Sequence, residues 1–382
     1  MLRLKKGREA RARVHPWLFK GDVAEIGAVE PGEAVTVVDF AGHFVGRGFF
    51  NPRPALCCRL ATWDDEALDE AFFARRIAAA VARRPDPALA RLVWSEADGL
   101  PGLVVDRFTD VLVLQSLTLG TAGARATLVA ALRRVVGDLP VLLADDATAA
   151  RLEGFEPARG WVGREGPAAV DVREGPVTFR VRLGGGHKTG HYLDQRENRA
   201  RVAALAAGRR VLDAFCYTAG FACAALVAGA REAVGIETSA EALAGARENL
   251  ALNGVADRAR LVDANAFDEL RRLERERARF DLIVLDPPPF TRGRAAVEAA
   301  ARGYKEINLR SMRLLPPGGL LATFSCSHHV TEARFEAICR EAAGDAGLRL
   351  RTLATLGQAA DHPVLLTVPE TGYLKGLLLE RV

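Results

Sequence analysis

The first sixth of the chain alternates apolar and polar positions over short stretches. In EAVTVVDFAGHFVGRGFFNP (33–52) the period is two, broken at Ala41–Gly42 and Asn51–Pro52, which predicts strands joined by tight turns. Residues 1 to about 68 therefore read as a small β-barrel or sheet. From residue 69 the period changes. DEAFFARRIAAAVARR (69–84) repeats its apolar positions at helical spacing and stops at Pro85. LPGLVVDRFTDVLVLQSL (100–117) then predicts two strands around a polar turn at Phe108–Asp110. A helix over about 122–136 and a strand in PVLLADD follow. This α+β region ends near VTFRVRL, 177–183.

After GGGHKTGHYLDQ (184–195) short apolar runs alternate with amphipathic stretches. RENRARVAALA predicts a helix, RRVLDAF a strand, AGFACAALVAG a helix and EAVGIE a strand. SAEALAGARENLALN predicts a helix, RLVDAN a strand, AFDELRRLERERAR a helix and FDLIVLD a strand. VEAAARGYKEINLRSMRLL and GGLLATFS close the series as helix and strand. Strands separated by helices of such length build a parallel, doubly wound sheet. The expected domains are 1–68, 69–183 and 184–382. There are no internal repeats and no low-complexity linker.

A length of 382 residues, with 49% apolar and 26% charged, suits two or three soluble globular domains. No apolar run approaches the ~20 residues of a membrane helix. The basic start MLRLKKGREARARVHPWLF lacks the apolar centre of a signal peptide, so the expected location is the cytoplasm. Six cysteines with no C-x-x-C pair predict free thiols and no structural zinc. The net charge of +4 is unevenly placed: residues 1–20 hold seven Lys/Arg against Glu9. A basic patch at one end suits a polyanion such as RNA, and equally a solvated terminus.

The candidate chemistry begins at VLDAFCYTAGFA (211–222), the first strand-to-helix turn of the alternating region. It lacks the G-x-G-x-x-G that lets backbone approach a pyrophosphate, and Gly220 is its one glycine. Asp213 at the strand end disfavours a phosphate and favours a cationic or zwitterionic ligand. Glu237 ends the second strand, where an acid accepts from ribose hydroxyls. Asp263 ends the third, within reach of an adenine amino group. Each acid alone is also a helix cap. Three on successive strands describe a ligand with ribose, adenine and an amino-acid tail, which is S-adenosylmethionine.

With these residues in view, residues 184–382 resemble a class I S-adenosylmethionine-dependent methyltransferase. VLDAFCYTAGFA, VGIETS, VDANAFD and LDPPPF match its first four motifs. HKTGHYLDQRENR (187–199), LDPPPF and FSCSHH together resemble the bacterial 23S rRNA cytosine-5 methyltransferase family. HPWLFKGDV resembles that family's N-terminal PUA domain, and EADGLPGLVVDR (96–107) its central α+β domain. The resemblance covers essentially the whole chain. It implies a Rossmann-like seven-stranded sheet, with S-adenosylmethionine converted to S-adenosylhomocysteine. It also implies a large-subunit ribosomal RNA substrate and a homodimer, while the lack of a third metal ligand and of an apolar span predicts no metal and no membrane. The cofactor would be lined by Asp213, Phe215, Tyr217, Thr218 and Gly220, by Glu237 and Thr238, and by Asp263 and Ala264. Lys188, Gln195 and Arg196 are candidates for its carboxylate, or for loop and helix capping. Tyr192 would stack on it or simply pack. Lys5, Lys6 and Lys20 would meet RNA.

Alone, Cys326 in TFSCSHH reads as a nucleophile, half of a metal site or a core plug. The resemblance assigns it as the thiolate that attacks C6 of cytosine, with Asp286 as the acid on the base. Pro287 and Pro288 would stiffen the loop, and Phe290 would line the base pocket. The fourth motif carries no second cysteine, as in the single-cysteine bacterial group, which leaves open what removes the C5 proton. Cys216, Cys223 and Cys339 are expected in the core, and one of Cys57 and Cys58 is expected to face in and the other out. His328 and His329 lack a third ligand and are expected at a helix start or on the surface. The competing readings are methylation of an exocyclic amine, which the late aromatic of DPPPF disfavours, and a non-catalytic RNA-binding assembly factor.

Overall fold

The computed structural model describes residues 1–184, 190–291, 293 and 296–382, and its chain forms two compact units. The first comprises Met1–Val170, Arg182–Leu193 and Ala360–Gly372. The second comprises Asp171–Val181, Asp194–Ala359 and Tyr373–Val382.

The first unit opens with a six-stranded sheet in the order Trp17–Phe19, Leu56–Thr62, Phe44–Phe50, Ala34–Val38, Leu2–Leu4, Val23–Ile26. The alternation in the sequence becomes burial: Val35, Val37, Val45, Phe50 and Leu60 face one core with Leu2 and Leu4. Gly48 is required there, because a Cβ would come within 2.0 Å of the Arg59 carbonyl oxygen of the neighbouring strand. The expectation of one inward and one outward cysteine fails, since Cys57 and Cys58 are both buried. The cause is a β-bulge. Phe19 pairs with Leu56 and Leu18 with Cys58, so Cys57 is the extra residue and the strict alternation is lost.

A five-stranded sheet follows, ordered Arg159–Trp161, Val141–Ala144, Val111–Ser116, Leu103–Phe108, Leu89–Trp94. Helices Glu70–Val81 and Arg125–Val136 place Phe72, Phe73, Ile77, Leu128 and Leu132 in its core. The first helix starts where Asp69 accepts from Phe72 N at 2.9 Å.

In the second unit we number the strands β1 (Arg210–Ala214), β2 (Glu232–Glu237), β3 (Ala259–Asp263), β4 (Leu282–Leu285), β5 (Leu320–Ser325), β6 (Leu350–Gly357) and β7 (Lys375–Arg381). The helices are α1 (Arg196–Ala203), α2 (Gly220–Val227), α3 (Ala240–Leu252), α4 (Ala266–Arg275), α5 (Val297–Leu314) and α6 (Glu332–Ala346). The sheet order is β3-β2-β1-β4-β5-β7-β6. Strands β1 to β5 are parallel, and β7 runs antiparallel between β5 and β6. This is the seven-stranded Rossmann-like sheet the sequence implied. Strand β4, LIVL, is buried throughout, as a central parallel strand covered on both faces must be. Strand order reverses between β1 and β4, so their carboxyl ends form the crevice in which such sheets bind ligands.

Candidate active site

The turn after β1 is held in an uncommon backbone shape. Phe215, Tyr217 and Ala219 all have positive φ, at 65°, 50° and 62°, although none is glycine. Such residues cost about 1–3 kcal/mol each and persist only when their surroundings enforce them. Here Cys216 N donates to Ile236 O at 3.0 Å, Ala219 N to Cys216 O at 2.8 Å, and Tyr217 N to Glu237 Oε2 at 3.1 Å. Asn249 of α3 donates to Thr218 O at 3.0 Å. Gly220 then opens α2 close beside α1, where a Cβ would meet Arg199 Cδ at 3.2 Å.

Asp213 is 1% exposed. Its Oδ2 accepts from Ala222 N at 2.9 Å, while its Oδ1 has no hydrogen-bond partner among the described residues. Burial pushes the carboxyl up to about 7. Ala222 N–H and Arg199 oppose that rise, and Asp286 and Glu237 add to it. A buried carboxyl with one unused oxygen is suited to a cationic ligand. Glu237 and Asp263 pair directly across β2 and β3, which sets the second and third acids side by side. Glu237 Oε1 also receives the Thr238 and Ser239 amides at 2.7 and 2.9 Å. Ala264 N bonds Glu237 O at 3.2 Å, and Thr238 and Asp263 are exposed at the rim.

Gln195 precedes α1 and is buried. Its Oε1 accepts from Asn198 Nδ2 at 2.6 Å, and its Nε2 has no partner among the described residues. Arg196 Nε lies 4.0 Å from Glu174 Oε1. The stronger partner of Glu174 is Arg199, with bonds of 2.6 and 2.9 Å. Arg199 is a residue the sequence reading missed. Tyr192 is half-buried in the first unit's segment Arg182–Leu193. Lys188 lies outside the described residues. The orphan Asp213 Oδ1, the orphan Gln195 Nε2 and the paired rim acids fit S-adenosylmethionine, whose sulfonium and amino-acid end need an acid and a neutral or cationic donor.

The second half of the site lies one strand further along. Leu285 of β4 pairs with Thr323 of β5, so the loops carrying Asp286 and Cys326 leave adjacent parallel strands. Cys326 Sγ lies 3.8 Å from Pro287 O. Cys326 is partly exposed, whereas the other five thiols are buried. Burial pushes Cys216 well up and Cys223 and Cys339 up to about 12, as inert core thiols require. Pro287 is buried and Pro288 exposed.

Phe290 is half-buried. Its ring lies 6.3 Å from Phe215, 5.6 Å from Phe267 and 4.5 Å from Tyr304. Gly303 on α5 admits it, since a Cβ there would come to 3.2 Å from Phe290 Cδ2. Tyr304 Oη bonds Ser327 Oγ at 2.9 Å, so one fully buried side chain touches both loops. Lys375 of β7 donates from Nζ to Ser327 O at 2.7 Å and to Val330 O at 2.6 Å. His328, exposed, packs its ring 5.9 Å from Tyr373, and His329 is exposed. Tyr304 carries no signal in the sequence beyond a helical apolar face, and Lys375 carries none. Among the described residues, no group of three or more His, Cys, Asp or Glu side chains is placed to hold a metal. Nor is any described helix long and apolar enough to cross a membrane.

On the first unit, Lys5, Lys6 and Lys20 are exposed, as are Arg8, Arg11 and Arg13. Asp22 gathers this segment: Arg8 and Arg11 approach it at 3.6 and 3.7 Å, and its carbonyl receives Lys5 N at 2.8 Å.

Sheet order and the buried, half-partnered carboxyl at the end of β1 fit a methyltransferase that uses S-adenosylmethionine. Residues 114–355 match the S-adenosylmethionine-dependent methyltransferase family, and residues 2–63 match the PUA-like domain. Among the relatives is ribosomal RNA large subunit methyltransferase I of Klebsiella pneumoniae, 42% identical over 98% of this chain and 96% of that protein. The Erwinia tasmaniensis protein of the same name is 41% identical over 98% and 97%. The chain therefore belongs to the ribosomal RNA large subunit methyltransferase I family of S-adenosylmethionine-dependent enzymes. Two solved structures share the fold across 99% of both chains. One, from Streptococcus mutans, has a TM-score of 0.84 at 20% identity. The other, solved with S-adenosylhomocysteine, has a TM-score of 0.86 at 21% identity.

Proposed function

We propose that the chain methylates carbon 5 of a cytosine in large-subunit ribosomal RNA, with Cys326 as nucleophile and Asp286 as the acid on the base. The observation that carries this reading is the 3.8 Å approach of Cys326 Sγ to Pro287 O, which puts thiol and carboxyl on neighbouring strand ends. The relatives' name supports the RNA target. The PUA-like segment, with Lys5, Lys6 and Lys20 exposed on it, supplies a surface for phosphates. Residues 1–68 act as the RNA-binding domain, 69–183 as the central domain and 184–382 as the catalytic one. Two copies associate as a homodimer.

Carbon 5 of a resting cytosine is a poor nucleophile. The Cys326 thiolate adds to C6, forming an S–C6 bond and driving the ring's π electrons toward C5 and N3. Asp286 donates a hydrogen bond at N3 and stabilises that charge. The bound cofactor supplies an electrophilic methyl group on a sulfonium. Carbon 5 takes the methyl as its bond to sulfur breaks, which leaves S-adenosylhomocysteine. The C5 proton then passes to solvent, which restores the C5–C6 double bond and expels the Cys326 thiolate. Phe290 and the prolines wall the site, and the small Ser325 and Ser327 leave room for a base taken out of its stack.

Ribosomal RNA substituted with 5-fluorocytosine tests the reading, because fluorine at C5 cannot leave as a proton and the adduct persists. Wild-type protein should form a band that survives denaturing electrophoresis, and Cys326→Ala should form none. Full methylation by Cys326→Ala would remove the thiol from the mechanism.

A further inference from the structure

Lys375 begins β7, the antiparallel strand beside β5, and pairs in register with Ser325, the residue before Cys326. Its Nζ donates to the carbonyls of Ser327 and Val330, at 2.7 and 2.6 Å. Both carbonyls belong to the loop that carries Cys326. The ammonium is thus held on two sides by the backbone that positions the thiol. Lys375 is one of only six lysines in a chain with 52 basic residues, and it is half-buried, an uncommon place for an ammonium without a purpose.

We propose that Lys375 is a positioning residue that supplies the fixed positive charge keeping Cys326 in its thiolate form while pinning the 326–330 loop. This rests on the reading of Cys326 as nucleophile and adds to it the group that activates the thiol. A thiol of ordinary pKa, about 8.5, is mostly protonated at neutral pH, and a neighbouring cation lowers it. Among the described residues, two titratable groups act on the charge of this lysine. Cys326 and Glu332, in the first turn of α6, both favour its protonated form, and burial opposes them, leaving it at about 8. Tyr304 faces Cys326 from α5, with its phenol pushed up by burial and so neutral. His328 packs its ring 5.9 Å from that of Tyr373, and Asp286 follows β4, the strand paired with β5. Lys375 is the cation among these that the loop's own carbonyls hold in place. The proton leaves the Cys326 thiol for solvent, and no electrons change hands.

The test is the pH dependence of Cys326 alkylation by iodoacetamide, followed on the full-length protein by mass spectrometry of the peptide that carries it. Cys326→Ala gives the background from the five buried thiols. Lys375→Gln keeps an N–H donor for the Ser327 carbonyl but no charge. Lys375→Arg keeps the charge. The midpoint should rise by about one unit in Lys375→Gln, equivalent to about a tenfold loss of thiolate at neutral pH, and stay near the wild-type value in Lys375→Arg. An unchanged midpoint in Lys375→Gln, with S-adenosylmethionine still bound by calorimetry, would overturn the inference, as would equal shifts in both variants. If Lys375→Gln does not fold, a wild-type midpoint in Lys375→Arg supports the inference and a raised one overturns it. Failure of the parent reading looks different: adducts on 5-fluorocytosine RNA would then survive in Cys326→Ala.

Discussion

The hydroxyl of Tyr304 lies 2.9 Å from Ser327 Oγ, one residue past the candidate nucleophile, and the Tyr304 ring packs 4.5 Å from Phe290 in the loop after Asp286. One side chain on α5 therefore sets the spacing of two loops that the chain places 39 residues apart at Pro287 and Cys326. Its full burial makes this contact rigid.

Tyr304→Phe should remove the hydrogen bond and keep the ring. A net cost of about 1 kcal/mol in stability is expected, with a several-fold fall in kcat and little change in the KM for the cofactor. Tyr304→Ala empties a packed position and should cost about 3–5 kcal/mol, by analogy with other aromatic truncations. Thermal melts alongside methyl-transfer assays separate the two. Equal losses of kcat in Tyr304→Phe and Tyr304→Ala would show that the ring has no part in spacing the loops.

Asp213 gives the cofactor turn a pH dependence. Its folded carboxyl holds a proton up to about pH 7, against a usual value of 3.8. The cofactor-free fold is therefore most favoured by this group below pH 3.8, and that contribution is lost as pH rises through about 7. A bound cation favours the ionised carboxylate. Binding of S-adenosylmethionine near neutral pH should release a proton, and affinity should rise as pH climbs through about 7. Titration calorimetry in buffers of different ionisation enthalpy measures the proton directly, and Asp213→Asn should abolish its release.

Glu174 and Arg199 form a buried two-bonded ion pair that ties the hairpin of Ala169–Glu174 and Val177–Arg182 to α1. Both side chains are under 10% exposed. Glu174→Gln should remove the carboxylate bonded twice to the buried Arg199 guanidinium and destabilise the protein by up to about 3–5 kcal/mol. Replacing both, as Glu174→Leu with Arg199→Met, should recover much of the thermal midpoint. A double variant no better than the single would mean that Arg199 acts through its other neighbour, Asp213, and not through the pair.

The positions of the three candidate cofactor acids are legible in the chain, because they sit at strand ends that the hydrophobic pattern locates. Asp213, Glu237 and Asp263 each close a short apolar run, and the structure places all three at the carboxyl edge of one sheet. The pair of Cys57 and Cys58 was misread because a bulge breaks the two-residue period without a glycine or proline to announce it. Strands β6 and β7 did not appear in the alternating pattern either. They are joined by a segment that holds no α-helix and belongs in part to the other unit, so the strand–helix rhythm gave no sign of them.

The sequence by itself determined the elements and the acids that end them, because local periodicity and strand-end chemistry are written within a few residues of one another. Only the tertiary structure decided what surrounds the thiol. Lys375 reaches Ser327 across 48 positions, and Tyr304 reaches it across 23, through an antiparallel strand pairing and a helix packed on the sheet. Such contacts arise from which faces meet when apolar surface is buried, and no spacing along the chain encodes them.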